Sequence, residues 1–192
     1  MYTLQINQKA PDFSLKATDG KFYQLDNFNE AKILIIFFSC NHCPYVLKSD
    51  ADTKLIAEKY ILKNVTFVAI NSNSPNTYEL DSYPNMIERM EQYNFPWVYL
   101  YDESQETVLK YGGLCTPHFF VFNRERKLKY TGRAVDSPKD ISLVKSRDLE
   151  KAIDELLAGA EVSTPITNPI GCNIKWDGKP KHWMPVNAVP LI

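Results

Sequence analysis

The chain has 192 residues, 44% of them hydrophobic and 12% aromatic, which is enough for one packed α/β core and short for two. Lysine plus arginine (22) and aspartate plus glutamate (23) nearly cancel, so there is no basic stripe of the kind that neutralises phosphates, and nucleic acid is not an expected partner. No apolar run approaches the ~18 residues that span a bilayer, which removes the membrane as a partner as well.

The opening Met1-Tyr2-Thr3-Leu4-Gln5-Ile6 lacks a basic stretch followed by an apolar one, so the chain reads as soluble and cytoplasmic. Phe13-Ser14-Leu15 and Phe22-Tyr23-Gln24-Leu25 flank Asp19-Gly20, a dipeptide suited to a tight turn, and predict a β-hairpin. Ile33-Leu34-Ile35-Ile36-Phe37-Phe38 has the continuous apolar pattern of a strand buried on both faces. From Cys40 to about Leu62 the positions Val46, Leu47, Leu55, Ile56 and Tyr60 suit a helix with Pro44 in its first turn. That reading puts Cys40 at a strand-to-helix junction.

Residues 65–70 predict a second buried strand, and Asn71-Ser72-Asn73-Ser74-Pro75-Asn76 a polar loop that ends it; strand, helix, strand makes a βαβ unit. Met86, Ile87, Met90 and Tyr93 predict a short helix closed by Pro96. A strand over 97–101, a short helix over 105–111 and a hairpin built from 119–122 and 128–130 follow. Leu149, Ala152, Ile153, Leu156 and Leu157 form the stripe of an amphipathic helix that Gly159 ends.

The character changes at Ala160. Five of the twelve prolines (Pro165, Pro169, Pro180, Pro185, Pro190) and two of the three tryptophans (Trp176, Trp183) lie beyond it, without a helical period. Large aromatics are depleted in disordered tails, so an extended arm packed on the domain is expected. The division is a redox domain over 1–159 and an extension over 160–192.

Four cysteines, Cys40, Cys43, Cys115 and Cys172, are too few for a disulfide scaffold and point to chemistry or metal binding. Cys40-Asn41-His42-Cys43 is one Cys-x-x-Cys pair with no second pair after it, and the chain has only three histidines, His42, His118 and His182, which favours redox use over zinc. At a helix start, unpaired N–H groups and the helix dipole favour thiolate, and only thiolate attacks a disulfide. The expectation is therefore an exposed, ionised Cys40 that attacks, an inward Cys43 that resolves the mixed disulfide, and a His42 that adds charge near Cys40 or is simply solvated. Further on, Cys115-Thr116-Pro117-His118 marks a strand start.

Lys9-Ala10-Pro11-Asp12-Phe13-Ser14-Leu15 followed by Asp19-Gly20-Lys21 resembles the start of redoxins in the alkyl hydroperoxide reductase and thiol-specific antioxidant group. Together with the Cys-x-x-Cys junction and Thr116-Pro117, this is a thioredoxin-like pattern over about residues 5 to 158. More narrowly, Cys40-Asn41-His42-Cys43-Pro44-Tyr45-Val46, Cys115-Thr116-Pro117, Tyr130-Thr131-Gly132-Arg133 and Gly171-Cys172-Asn173-Ile174-Lys175-Trp176 resemble a peroxiredoxin-like subgroup. The resemblance implies a central mixed sheet flanked by helices, a cis Pro117 beside the active cysteine, and Thr116 and Pro117 offering backbone groups to an extended substrate.

The chain departs from that pattern. Thioredoxins often carry a buried acid six residues before the first cysteine, where this chain has Leu34, and a tryptophan just before it, where this chain has Ser39. The Pro-x-x-x-Thr/Ser-x-x-Cys pattern of peroxidatic cysteines is missing too. Ile33 and Phe37 take those positions before Cys40, and Pro165 and Pro169 before Cys172.

The reading is a thiol-disulfide oxidoreductase with a Cys40/Cys43 centre, Thr116 and Pro117 beside it, no cofactor, and a protein or small-molecule disulfide or thiol as substrate. The residues leave its electron donor unidentified, and a monomer or weak homodimer is expected. Cys115 and Cys172 are additional redox thiols or packed residues, and Arg133 lowers a cysteine pKa or is solvated. One alternative is a metal-binding or metal-delivery protein using Cys40, Cys43 and Cys115 with His42, His118 or Cys172. The other is a thiol peroxidase with antioxidant activity.

Overall fold

The computed structural model describes residues 2–188 and 191; Met1 and Pro190, on which the sequence reading drew, lie outside the described residues. The first hairpin pairs β1 (Ser14–Ala17) with β2 (Phe22–Gln24) antiparallel. Its turn needs Gly20, at φ +83°, while the Asp19 carboxylate accepts the Lys21 N–H at 3.0 Å and the Tyr23 hydroxyl at 2.9 Å.

All seven residues of β3 (Ile33–Ser39) are buried. Because side chains alternate along a strand, β3 feeds two cores. Ile33, Ile35 and Phe37 pack with Phe67, Trp97, Phe119, Leu149 and Ile153 on one face; Leu34, Ile36 and Phe38 pack with Val68, Ile70, Tyr111 and Phe120 on the other. Leu34, at the position where an acid is common, is thus an ordinary core residue.

After β3 come α1 (Pro44–Tyr60) and β4 (Val65–Asn71), and β4 lies parallel to β3. The helix starts later than expected, at Pro44 with Cys43 as its cap. A proline has no N–H to leave unpaired and fits the first helical position, so the helix begins there and not at Cys40.

The polar loop predicted after β4 is found, but its first residues are buried. Asn71 belongs to β4, and Asn71, Ser72, Asn73 and Ser74 are all buried. Their polar groups are satisfied internally: Asn71 Nδ2 donates to the Asp81 carbonyl at 3.1 Å and Ser72 Oγ to Asp102 Oδ2 at 2.7 Å.

Helix α2 (Tyr83–Tyr93) ends at Asn94, which takes a left-handed φ of +46°, two residues before Pro96. The chain continues through β5 (Val98–Tyr101), α3 (Glu106–Tyr111), β6 (Cys115–Thr116), β7 (His118–Phe122), β8 (Leu128–Gly132) and α4 (Asp148–Leu157). Among the described residues the main sheet is mixed and seven-stranded, in the order β2-β1-β5-β4-β3-β7-β8, with helices flanking it.

Beyond α4 the chain runs back over the body. Thr131 N–H donates to the Pro165 carbonyl and Thr167 N–H to the Thr131 carbonyl, both at 3.0 Å. Strand β9 (Cys172–Asn173) then pairs antiparallel with β6, Thr116 opposite Cys172 and Cys115 opposite Asn173. Ile174 and Trp176 join the core on the Leu34 face, each worth about 2 kcal/mol in burial.

Candidate active site

Strand β3 and the cap of α1 carry Cys40 and Cys43 to the end of the sheet, where the cis Thr116–Pro117 peptide meets them. Thr116 Oγ1 lies 3.1 Å from Cys40 Sγ, the Cys43 N–H donates to Cys40 Sγ at 3.4 Å, and Cys43 Sγ, in its thiol form, donates to the Thr116 carbonyl at 3.2 Å. Cys40, Cys43 and Val46 form a small buried cluster against which Tyr45 and Cys172 pack.

The expected exposed Cys40 is not found. Both Cys40 and Cys43 are 0% exposed, and Cys172, packed against them, is a partly exposed residue. With α1 starting at Pro44, the first-turn N–H of Val46 is aimed at Cys43. The Cys40 thiol, the Cys172 thiol and the backbone N–H groups of Val46 and Cys172 all donate to Cys43 and outweigh burial, holding it down to about 4. Burial pushes Cys40 well above the usual thiol range, helped by the negative charges of Asp81 and Cys43. Within this pair the surroundings therefore favour the thiolate of Cys43 over that of Cys40.

His42 does not reach toward solvent. Its Nδ1 sits 2.5 Å from Asp81 Oδ2 and its ring stacks on Tyr78 with centroids 3.8 Å apart. Asp81 also accepts the Asn41 N–H at 2.6 Å and the Asn73 Nδ2 group at 2.9 Å. Sequence reading missed Asp81, since nothing in its local pattern separates it from a surface acid. Its distance along the chain from His42 hides the pairing.

The other candidates are spread out. Cys115 is buried with its thiol 3.6 Å from the Pro117 carbonyl, and burial pushes that thiol up. His118 is fully buried, receives the Leu114 N–H on Nδ1 at 3.2 Å and meets Thr131 Oγ1 through Nε2 at 3.0 Å; burial lowers it to about 3. Arg133 Nε donates to Asp148 Oδ2 at 2.7 Å. The backbone of Thr116, expected to be open to a substrate, is taken by Cys172 of the chain's own arm.

Nor are Cys40, Cys43 and Cys115 brought together as a ligand set. Among the described residues, the group with ligand atoms within 4.8 Å of one another is Cys40, His42 and Asp81. Its His42–Asp81 separation of 2.5 Å is a hydrogen bond, shorter than the ~3 Å between two ligands of one tetrahedral ion.

The family model described as Redoxin matches residues 5–153. The chain belongs to the redoxin family. This redoxin has the mixed sheet and flanking helices of a thioredoxin-like fold, and its chemistry is thiol redox chemistry. It is similar to a hypothetical protein of Sinorhizobium meliloti 1021, at 32% identity and a TM-score of 0.87, over 92% of this chain and 97% of that one. It is also similar to an uncharacterized conserved protein of Geobacillus kaustophilus, at 37% identity and a TM-score of 0.86, over 94% and 95%. The thioredoxin domain of a thiol-disulfide oxidoreductase from Bacteroides vulgatus shares the fold at 14% identity and a TM-score of 0.61, over 81% and 99%. No curated protein matches this redoxin significantly. None of its described helices is long and apolar enough to cross a membrane.

Proposed function

We propose that this redoxin is a thiol-disulfide oxidoreductase whose working couple is the Cys40/Cys43 dithiol and disulfide. The observation that carries the reading is the meeting of the two sulfurs at Thr116: Cys40 is bonded by the Cys43 N–H and the Thr116 hydroxyl, while its own thiol serves the Cys43 sulfur. A pair that shares one proton less than two thiols has a nucleophile and its resolving partner already in contact. In the reducing direction Cys43 joins one substrate sulfur in a mixed disulfide as the other leaves as thiolate, and Cys40 then attacks Cys43, its proton going to the departing sulfur and the Cys40–Cys43 disulfide closing.

His42, Asp81 and Tyr78 hold the Asn41–His42 turn between the two cysteines. Asp81 ties both the Asn41 backbone and the His42 ring, which keeps Cys40 and Cys43 at bonding distance. Thr116 sets its hydroxyl against Cys40 and its carbonyl where a protonated Cys43 can donate, so it serves the Cys43 thiol that forms when the pair takes up its second proton.

The test is direct. Oxidised glutathione added to the reduced protein is expected to yield two reduced glutathione molecules and a Cys40–Cys43 cross-linked peptide by mass spectrometry. Cys40→Ala and Cys43→Ser are expected to abolish catalytic turnover of a disulfide; full turnover in both variants would overturn the reading.

A further inference from the structure

The redox pair has no surface of its own, since Cys40 and Cys43 are sealed and the arm lies over them. The arm is fastened on both sides of Cys172. Before it, Thr167 is tied to Thr131. After it, Lys175 N–H donates to Asn73 Oδ1 at 2.8 Å, the Lys175 carbonyl receives Ser74 N–H at 2.8 Å and Gln105 Nε2 at 2.9 Å, and Ile174 and Trp176 are in the core. Gly171 lies so close to the Thr116 carbonyl that a Cβ would overlap it, so the arm is shaped to rest there. Of the three clustered cysteines, Cys172 is the residue that is partly exposed, and it hydrogen-bonds Cys43.

We infer that Cys172 is the thiol that first meets the external disulfide, and that the substrate is a low-molecular-weight disulfide instead of an extended protein segment. This rests on the Cys40/Cys43 reading. An extended peptide would bind by pairing with the backbone of Thr116, and Cys172 already fills that edge.

The chemistry runs in three exchanges. Cys172 attacks one sulfur of the disulfide R–S–S–R′, its proton passes to the Cys43 thiolate it is bonded to, and R′S⁻ leaves. Cys43 then attacks the Cys172 sulfur of the mixed disulfide, and its proton departs with R–SH. Finally Cys40 attacks Cys43, and its proton goes to the Cys172 sulfur that is released. One external disulfide is reduced to two thiols, Cys40 and Cys43 are oxidised to a disulfide, and Cys172 returns as a thiol. Burial and the neighbouring Cys43 push the Cys172 thiol up to about 11, which the charges of Lys175 and Lys139 offset only in part, so Cys172 attacks as its proton leaves and not as a standing thiolate.

Reduced full-length protein is mixed with 2-hydroxyethyl disulfide, quenched with iodoacetamide at intervals, and mapped by peptide mass spectrometry. In the wild type the first adduct is expected on Cys172, followed by the Cys40–Cys43 disulfide. Cys43→Ser, which lacks both the proton acceptor and the resolving thiol, is expected to form the Cys172 adduct more slowly and to hold it there, Cys40→Ser to accumulate a Cys43–Cys172 disulfide, and Cys172→Ser to slow the first step by more than roughly tenfold. A first adduct on Cys40 or Cys43, or a Cys172→Ser rate matching the wild type, overturns the inference and leaves the Cys40/Cys43 couple standing. A wild type that takes the adduct on Cys172 and never forms the Cys40–Cys43 disulfide overturns the underlying couple instead. Should Cys172→Ser fold poorly, the adduct position in the wild type and in Cys43→Ser still decides.

Discussion

Gly171 rests directly against the carbonyl of Thr116, with no room between them for a side chain. That contact lets β9 lie on β6 and bring Cys172 to Cys43, so the lid of the redox site is part of the chain that carries it. Gly171→Val is expected to lift this stretch of arm. Alkylation of Cys40 and Cys43 by iodoacetamide would then rise by roughly tenfold or more, because local opening of that size is worth little more than 1 kcal/mol. Unchanged labelling of both cysteines would show that the arm does not limit access.

The donors gathered at Cys43, the Cys40 thiol foremost, hold it down to about 4. The ultraviolet absorbance of the thiolate is therefore expected to be flat around neutral pH and to disappear on acidification through about 4. Cys40→Ser, which replaces the largest of these donors by a hydroxyl in altered geometry, is expected to raise that midpoint by about one unit, near 1.4 kcal/mol. A midpoint in the range of an ordinary thiol in the wild type would refute the assignment.

Asp81 is fully buried and holds three groups at once, the His42 ring, the Asn41 N–H and the Asn73 amide. Asp81→Asn leaves the geometry but loses the charge that faces His42, and removing one partner from a buried polar cluster costs about 3 kcal/mol. Urea denaturation of the reduced protein should register that loss as a lower midpoint. The same change should bring the Cys40 pKa down, since the Asp81 charge helps to keep it up.

His118 is kept neutral by burial, with a pKa lowered from 6.5 to about 3. Between those values the unfolded chain binds a proton that the folded chain does not, so its contribution to stability is whole above 6.5 and is lost as pH falls toward 3. The slope from this one group is at most about 1.4 kcal/mol per pH unit. Comparing denaturation of the wild type and His118→Gln across that window checks it, and a wild type no more acid-sensitive than the variant would contradict it.

The elements built from local pattern were legible before any coordinates. The all-apolar run of β3, the Asp19-Gly20 turn, the stripe of α4 and the Cys-x-x-Cys spacing each carry their meaning in neighbouring residues. The same holds for the redoxin resemblance, which rests on short motifs in fixed order. Burial of polar segments was not legible in this way. Nothing local marks Asn71 to Ser74 as buried, because their partners, Asp81, Asp102 and the arm at Lys175, lie elsewhere in the chain.

For the site, the sequence by itself settled which side chains are able to do thiol chemistry and that Cys40 and Cys43 flank one turn. Tertiary structure alone decided their environment. A thiol's ionisation depends on the donors and charges within a few ångströms and on its removal from water, and here those come from Thr116, Val46, Asp81 and Cys172. Pro44 moves the helix start onto Cys43, and the arm closes over both sulfurs, so charge and access are assigned by packing between segments that no local pattern relates.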